Sequence, residues 1–294
     1  MKNAKALTVT YLTPVSFASL NGSDKEADNI SNIKKITRET DQFPYVSAQA
    51  VRRALRDQLA VLGRKLSEGV TATIKKGAAT TQQDPDQFID DDLFGFMGTE
   101  EGKEGKKGKS TKRTSPIRVS PLISLQKYEG DLDFATNFMS VQSGGDPNIF
   151  ETEIHSGIYR GTILIELDRV GCGEGFKKDL RNSEKAARVK DFLTAFKNLW
   201  TSGRQTRFLA DISPKFVVSA MLTAKNPIFL ESLILMNGGV NTELLNETIK
   251  DYKNEIKASV FGARKGLFSC LPEGTVSIGE AFDKMMKWVD EYYK

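Results

Sequence analysis

The order in which two hydrophobic periodicities follow one another constrains this chain most. Residues Ala6–Thr13 (ALTVTYLT) alternate and are rich in β-branched side chains, as a strand requires. From Ser47 to about Leu62 the period becomes helical, and Gly63 stands where a helix stops. Strand-like runs return at Ile117 (IRVSPLISL) and at Ile158–Val170, the cleanest alternation in the sequence. Glu184–Leu199 is amphipathic and helical, and Phe216–Leu222 and Ser232–Leu235 read as further strands. Thr242–Ile256 and Ile278–Tyr293 are two more helices. Strand, helix, strand, strand, helix, strand is a split βαβ order. It predicts an α+β fold with a ferredoxin-like, RRM-type core. Such an antiparallel sheet, with helices on one face, leaves the other face free.

The segments between these elements read as insertions into one domain spanning 1–294. Ser19–Gln42 is polar and holds the turn signal Asn21-Gly22. Leu66–Asp92 is poor in large apolar residues, with one strand expected at Val70–Ile74. Glu100–Arg113 (EEGKEGKKGKSTKR) is glycine-spaced and nearly devoid of apolar residues, so it reads as a disordered loop. Together these make an insertion over about 63–116. Phe134–Thr152 predicts a protruding hairpin turning at Gly144-Gly145, within an excursion over about 126–157.

With 39% hydrophobic residues the chain can bury a core, and a net charge of +4 leans only weakly toward anionic partners. Cys172 and Cys270, the only cysteines, form neither a disulfide framework nor a zinc box. No apolar stretch reaches membrane-spanning length, and the N-terminus lacks a signal-peptide core. A cytoplasmic protein without a membrane partner is expected.

The helix opening at Ser47 carries the most pointed charge pattern. With Val51 at zero and 100° per residue, Val51, Leu55, Leu59 and Leu62 form one apolar stripe. Gln49, Arg52, Arg53 and Arg56 gather opposite, within about 100° of arc, and only Asp57 lies near their border. Ser47 suits the N-cap, and free helix amides together with arginine forks suit phosphate. On pattern alone a solvated charged face explains the same residues equally well.

Candidates for catalysis are sparse. His155 is the only histidine, so a Ser-His-Asp or Cys-His arrangement would have to use it, and no partner is evident. Asp90-Asp91-Asp92 reads as a cap on the following segment rather than a metal site, because three consecutive carboxylates rarely converge on one ion. A metal-dependent endoribonuclease using Asp90–Asp92 stays open as an alternative. No cofactor fingerprint is present.

The residues Tyr45–Arg56 (YVSAQAVRRALR) closely resemble the signature of the backbone subunits of type I CRISPR surveillance complexes, in the RAMP superfamily. The likeness is greatest to the DevR-like branch of type I-B systems. Other segments resemble the same family in the same order: Ser19-Leu20-Asn21-Gly22, Asp92-Leu93-Phe94-Gly95, IRVSPLISL, Phe134–Arg160 and Ser202–Thr206. The resemblance covers about two thirds of the chain and leaves out 61–92 and the last stretch.

The resemblance implies a non-catalytic subunit that stacks in copies along a guide RNA, beside other Cascade subunits. It presents the bases to target DNA, for an effector nuclease or for transposition proteins. The same resemblance keeps two alternatives open: a metal-dependent endoribonuclease of the RAMP superfamily using Asp24 or Asp28, as in relatives that cut RNA from this loop, and a DNA-binding regulator, which the branch name invites. It implies RNA contacts at Asn21, Ser47, Gln49, Arg52, Arg53 and Arg56, with Arg204 and Gln205 in a second loop. Arg52 and Arg53 are the expected principal phosphate contacts. It also implies a thumb hairpin, where Phe138, Met139, Ile149 and Phe150 are candidates to wedge beside a displaced base; they serve equally well as the hairpin's own core. Lys103, Lys106, Lys107, Lys109, Lys112 and Arg113 are candidate contacts to target DNA by charge alone, or a solubilising loop.

Overall fold

A computed structural model describes residues 1, 3–23, 30–71, 79–99, 110–201 and 205–294. Its centre is an antiparallel sheet. Strand β1 (Ala6–Ala18) lies in the middle, followed along the chain by β2 (Lys35–Arg38), β3 (Asp41–Val46) and helix α1 (Ala48–Val61). Helix α2 (Ile89–Phe94) precedes β4 (Ile117–Val119) and β5 (Leu122–Ser124). Then come β6 (Leu132–Asn137), β7 (Asn148–Glu153), β8 (His155–Glu166), α3 (Asn182–Lys197) and β9 (Phe216–Leu222). Helix α4 (Thr242–Asp251), β10 (Ile256–Ala263) and α5 (Ile278–Tyr292) complete it.

The spatial order is β10-β9-β1-β8-β5-β3-β2, with β4 also paired to β8. The four strands β9, β1, β8 and β5 reproduce the split βαβ arrangement, with α1 and α3 as its two crossover helices. The β1 ladder runs from Ala6 opposite Glu166 to Val15 opposite Gly157 on one side. On the other it runs from Ala6 opposite Leu222 to Leu12 opposite Phe216.

Alternation along β1 sends Leu7, Val9 and Tyr11 toward the helices. There Tyr11 meets Phe196 of α3 edge-on at 4.9 Å, and Phe196 meets Phe282 of α5 at 5.7 Å. The opposite face is not free. Leu12, Phe216, Val218, Ala220 and Leu222 pack there against Phe229, Leu233, Val240, Leu245 and Phe268. The C-terminal third covers this half of the sheet because those strand positions are apolar on both faces, which water would not tolerate.

Two other expectations fail in the same region. The helix expected to reach Ile256 ends at Asp251, and Ile256–Ala263 instead adds an edge strand to β9. Ser232–Leu235 supplies only the start of a two-residue strand, Leu235–Met236. Near the N-terminal half, the strand expected at Val70–Ile74 is described as Val70–Thr71, paired with Ala79–Thr80. The residues beyond it, 72–78, lie outside the described set.

Candidate nucleic-acid interface

Helix α1 is fixed at both ends. The Ser47 hydroxyl accepts from the Ala50 amide at 3.3 Å, and the Ser47 amide donates to Asn21 Oδ1 at 2.9 Å. Asn21 therefore ties the loop after β1 to the helix start. At the far end Gly63 adopts φ +78°, and the chain turns away. Val51, Ala54, Leu55 and Leu59 are buried. Leu62, expected in the apolar stripe, is 42% exposed because the helix ends one residue before it.

The four polar residues of the other face have different fates. Gln49 is exposed, and Arg53 is exposed and paired with Asp57 at 2.9 Å. A solvated pair of this kind is weak, so Arg53 can exchange partners. Arg52 is half-buried: its guanidinium donates to the Phe94 carbonyl and lies 5.4 Å over the Phe94 ring. It has no carboxylate partner among the described residues. Burial, followed by the nearby charge of Arg56, lowers its pKa. Arg56 is engaged, donating to Asp90 Oδ2 at 2.5 Å and to the Ser67 carbonyl at 3.2 Å.

The aspartate run does not cap α2. Phe88 occupies the N-cap, and the three carboxylates are buried and face three different partner sets. Asp90 holds Arg56 and the Ser67 amide. Asp91 accepts from the Asp84 amide at 3.0 Å, and burial raises its pKa. Asp92 takes Arg113 at 2.5 Å, Arg188 at 2.8 Å and the Gly171 amide. No group of three metal-ligating side chains capable of holding an ion occurs among the described residues.

Arg113 therefore leaves the set of candidate DNA contacts. Its side chain is 1% exposed, and it also donates to the carbonyls of Arg169, Cys172 and Glu174. It closes a two-strand ladder, Phe96–Thr99 with Ser110–Arg113, at the root of the basic loop. Gly95 makes this approach feasible, because a Cβ there would overlap the Arg113 carbonyl oxygen. Lys112 remains exposed on the same ladder. Lys103, Lys106, Lys107 and Lys109 lie outside the described residues, as do Arg204, Asp24 and Asp28, and nothing is described of the Gln205 side chain.

Strands β6 and β7 form the expected hairpin, from Leu132 opposite Glu153 to Asn137 opposite Asn148. Phe138, Met139 and Ile149 are 64%, 68% and 45% exposed, so they are not a packed core. Phe150 differs: Arg207 lies 4.8 Å over its ring while also pairing with Asp133 at 2.5 Å. The other side of the root is held by Glu153, which accepts from the Ile33 amide and Lys35. His155, where β8 begins, is buried with Nε2 3.0 Å from Ser124 Oγ. Burial lowers its pKa, and Ser124 is fully enclosed, so a substrate has no access to the pair.

The second wall of this site has no counterpart in the sequence pattern. A cleft of about 620 Å³ lies between Arg53, Arg56 and Asp57 of α1 and residues of the insertion, among them Glu68, Thr81 and Met97. A smaller cavity of about 230 Å³ shares Arg53, Arg56 and Thr81 with it and extends to Gln49 and Arg52. Nothing in the spacing of 61–92 marks it as a wall, because only folding brings it beside α1.

Together, sheet and cleft define a class: a ferredoxin-like palm, elaborated by insertions, with an arginine-faced helix exposed along one side. A family described as "CRISPR-associated negative auto-regulator DevR/Csa2" matches residues 9–255, and the chain belongs to that family. A protein of Myxococcus xanthus (strain DK1622), described as "CRISPR-associated protein Cas7/Cst2/DevR", is 27% identical over 269 residues, covering 86% of this chain and 85% of that protein. Two solved structures have similar folds. One, "CRISPR RNA-guided surveillance complex", aligns with TM-score 0.59 and 15% identity over 96% of this chain and 99% of the other. The second, "CRISPR RNA-guided surveillance complex, pre-nicking", gives TM-score 0.61 and 14% identity over 97% and 100%. Among the described residues no helix is long and apolar enough to cross a membrane.

Proposed function

We propose that this protein is a non-catalytic backbone subunit of a type I CRISPR surveillance complex, most closely of the I-B kind, which binds guide RNA along α1. Copies stack along the RNA, other Cascade subunits close the complex, and the guide bases stay open to target DNA. Protein then reads the backbone and base pairing reads sequence, a division known in another RNA-guided class. The observation that carries this reading is Arg52. It is a half-buried guanidinium without a carboxylate partner among the described residues, beside exposed Gln49 and Arg53. An uncompensated cation held in place suits a phosphate, whose charge it can take without first breaking an ion pair.

The hairpin supports the same reading. Its exposed Phe138, Met139 and Ile149 offer apolar surface to a base lifted from the strand. A nuclease built on Asp90–Asp92 is disfavoured, since Asp90 and Asp92 are held by arginines and Asp91 is buried against the Asp84 amide.

The test is expression with a CRISPR array and the partner subunits, followed by extraction of bound nucleic acid. A protected RNA of uniform length is expected. Clean protein, or RNA of random length, would overturn the proposal.

A further inference from the structure

The hairpin β6–β7 has two unlike faces. Residues opposite one another in the ladder share a face, so Leu132, Phe134 and Ile149 lie together on one of them. They are 49%, 60% and 45% exposed. Asp133, Phe150 and Thr152 lie on the other, and all three meet a single side chain, Arg207.

Arg207 belongs to the short helical turn Gln205–Phe208, ahead of β9. Its Nη2 donates to the Asp133 carbonyl at 3.3 Å and pairs with the Asp133 carboxylate at 2.5 Å, while Nη1 donates to Thr152 Oγ1 at 3.1 Å. The guanidinium also reaches two rings, Phe150 of the hairpin at 4.8 Å and Phe208 at 5.0 Å. Phe208 is buried and packs on Phe17 of β1, with ring centroids 5.6 Å apart. Beyond β1 the chain enters the loop whose Asn21 holds the start of α1. One arginine therefore ties both strands of the hairpin to the end of β1 that leads to the arginine-faced helix.

This chemistry suits a clamp better than a phosphate contact. Asp133 already neutralises Arg207, so a phosphate would first have to break that pair. A planar fork can bond two strands and stack on rings at once, which an ammonium cannot do. The tip residues Phe138 and Met139 are exposed, so their packing does not set the direction of the hairpin. That direction is set at the root, by Arg207 on one face and Glu153 on the other.

We propose that Arg207 is a positioning residue for RNA binding. It clamps the Asp133–Thr152 face of the hairpin to the palm and so fixes where the apolar face and the tip point. Arg207 acts through the hairpin and touches no RNA. The inference rests on the reading of the chain as an RNA-binding subunit.

The test uses the full chain carrying Phe138→Trp and a synthetic single-stranded RNA. Bases beside the added indole quench its fluorescence, read as the difference from the protein without that substitution. Arg207→Ala in this background should remove most of the quenching and weaken binding about fivefold, near the low end for losing one stacked base. The slope of log affinity against log salt should stay the same, because no phosphate contact is lost. Asp133→Ala loosens the clamp from the hairpin side and carries the test, with the same readouts, if Arg207→Ala does not fold. Quenching that survives in the variant tested overturns the inference. A slope shallower by about 0.7 for Arg207→Ala would make Arg207 a phosphate contact and overturn it too. If the Phe138→Trp protein binds RNA without any quenching, the positioning role falls and the RNA reading stands. If neither it nor the unsubstituted protein binds RNA, both fall.

Discussion

Two groups of arginines in this molecule behave in opposite ways. Arg52 and Arg53 look out from α1, one without a carboxylate partner among the described residues and the other in a solvated pair. Arg113 and Arg188 are 1% and 5% exposed, clamped on a carboxylate, Asp92, that is fully buried. Both also lie near the Phe176 ring, at 4.8 and 6.0 Å. The second group sets the scaffold. It joins α2, the loop at 169–174, the 85–86 segment and α3, and so fixes the base on which the cleft wall stands. The difference teaches that an arginine's function follows from which acceptors surround it, and these come from distant parts of the chain.

The contrast can be broken most severely at Asp92. Asp92→Ala leaves two buried guanidiniums without their shared carboxylate and should lower stability by about 3–5 kcal/mol. Denaturant unfolding reads this directly, and a decrease of less than about 1 kcal/mol would show that the cluster is not the anchor described.

The mirror experiment is Arg52→Ala with Arg53→Ala. Unfolding should change little, whereas RNA affinity should fall for all sequences alike. The slope of log affinity against log salt should become shallower by about 0.7 for each phosphate that is no longer neutralised. Filter binding over a salt series checks it, and an unchanged slope would remove α1 from the interface.

Arg56 stands between the two groups. Because Asp90 already neutralises it, Arg56→Gln should cost less RNA affinity than Arg52→Ala. It should still lower stability by about 1–3 kcal/mol, by leaving buried Asp90 with fewer donors. Equal decreases of affinity for Arg52 and Arg56 variants would erase the distinction.

The smallest effect concerns pH. Burial raises the pKa of Glu166, but bonds from Lys225 and Arg118 outweigh it, so the net shift is downward from 4.5. The stability it contributes is present above that ordinary value and is lost as pH falls through the lowered one. Glu166→Gln should flatten the acid limb of the stability curve below pH 4.5, with little change in RNA binding at neutral pH. An acid limb as steep as in the wild type would refute the assignment.

Much of the fold is legible in the sequence because local pattern and tertiary role agree there. The α1 boundaries, its cap and its arginine face follow from Ser47, Gly63 and a period that packing then uses. Phe216–Leu222 is a strand, as its pattern predicts. The edge strand Ile256–Ala263 meets the expected helix Thr242–Ile256 only at Ile256 and is absent from the sequence reading, because its stability comes from the ladder with β9 more than from its own alternation. The aspartate run misleads for a similar reason. Asp92 finds Arg113 and Arg188 at sequence separations of 21 and 96, and no local rule joins them.

By itself the sequence determined the split βαβ order, the cationic helix and, through resemblance, the family to which that helix points. These depend on periodicity and spacing, which the chain carries locally. Only the tertiary structure decided which arginines are available and which are buried, that the far face of the sheet is covered, and that the insertion forms a second wall beside α1. Each of these depends on charges and apolar surfaces brought together from distant segments, because burial is a property of neighbours in space.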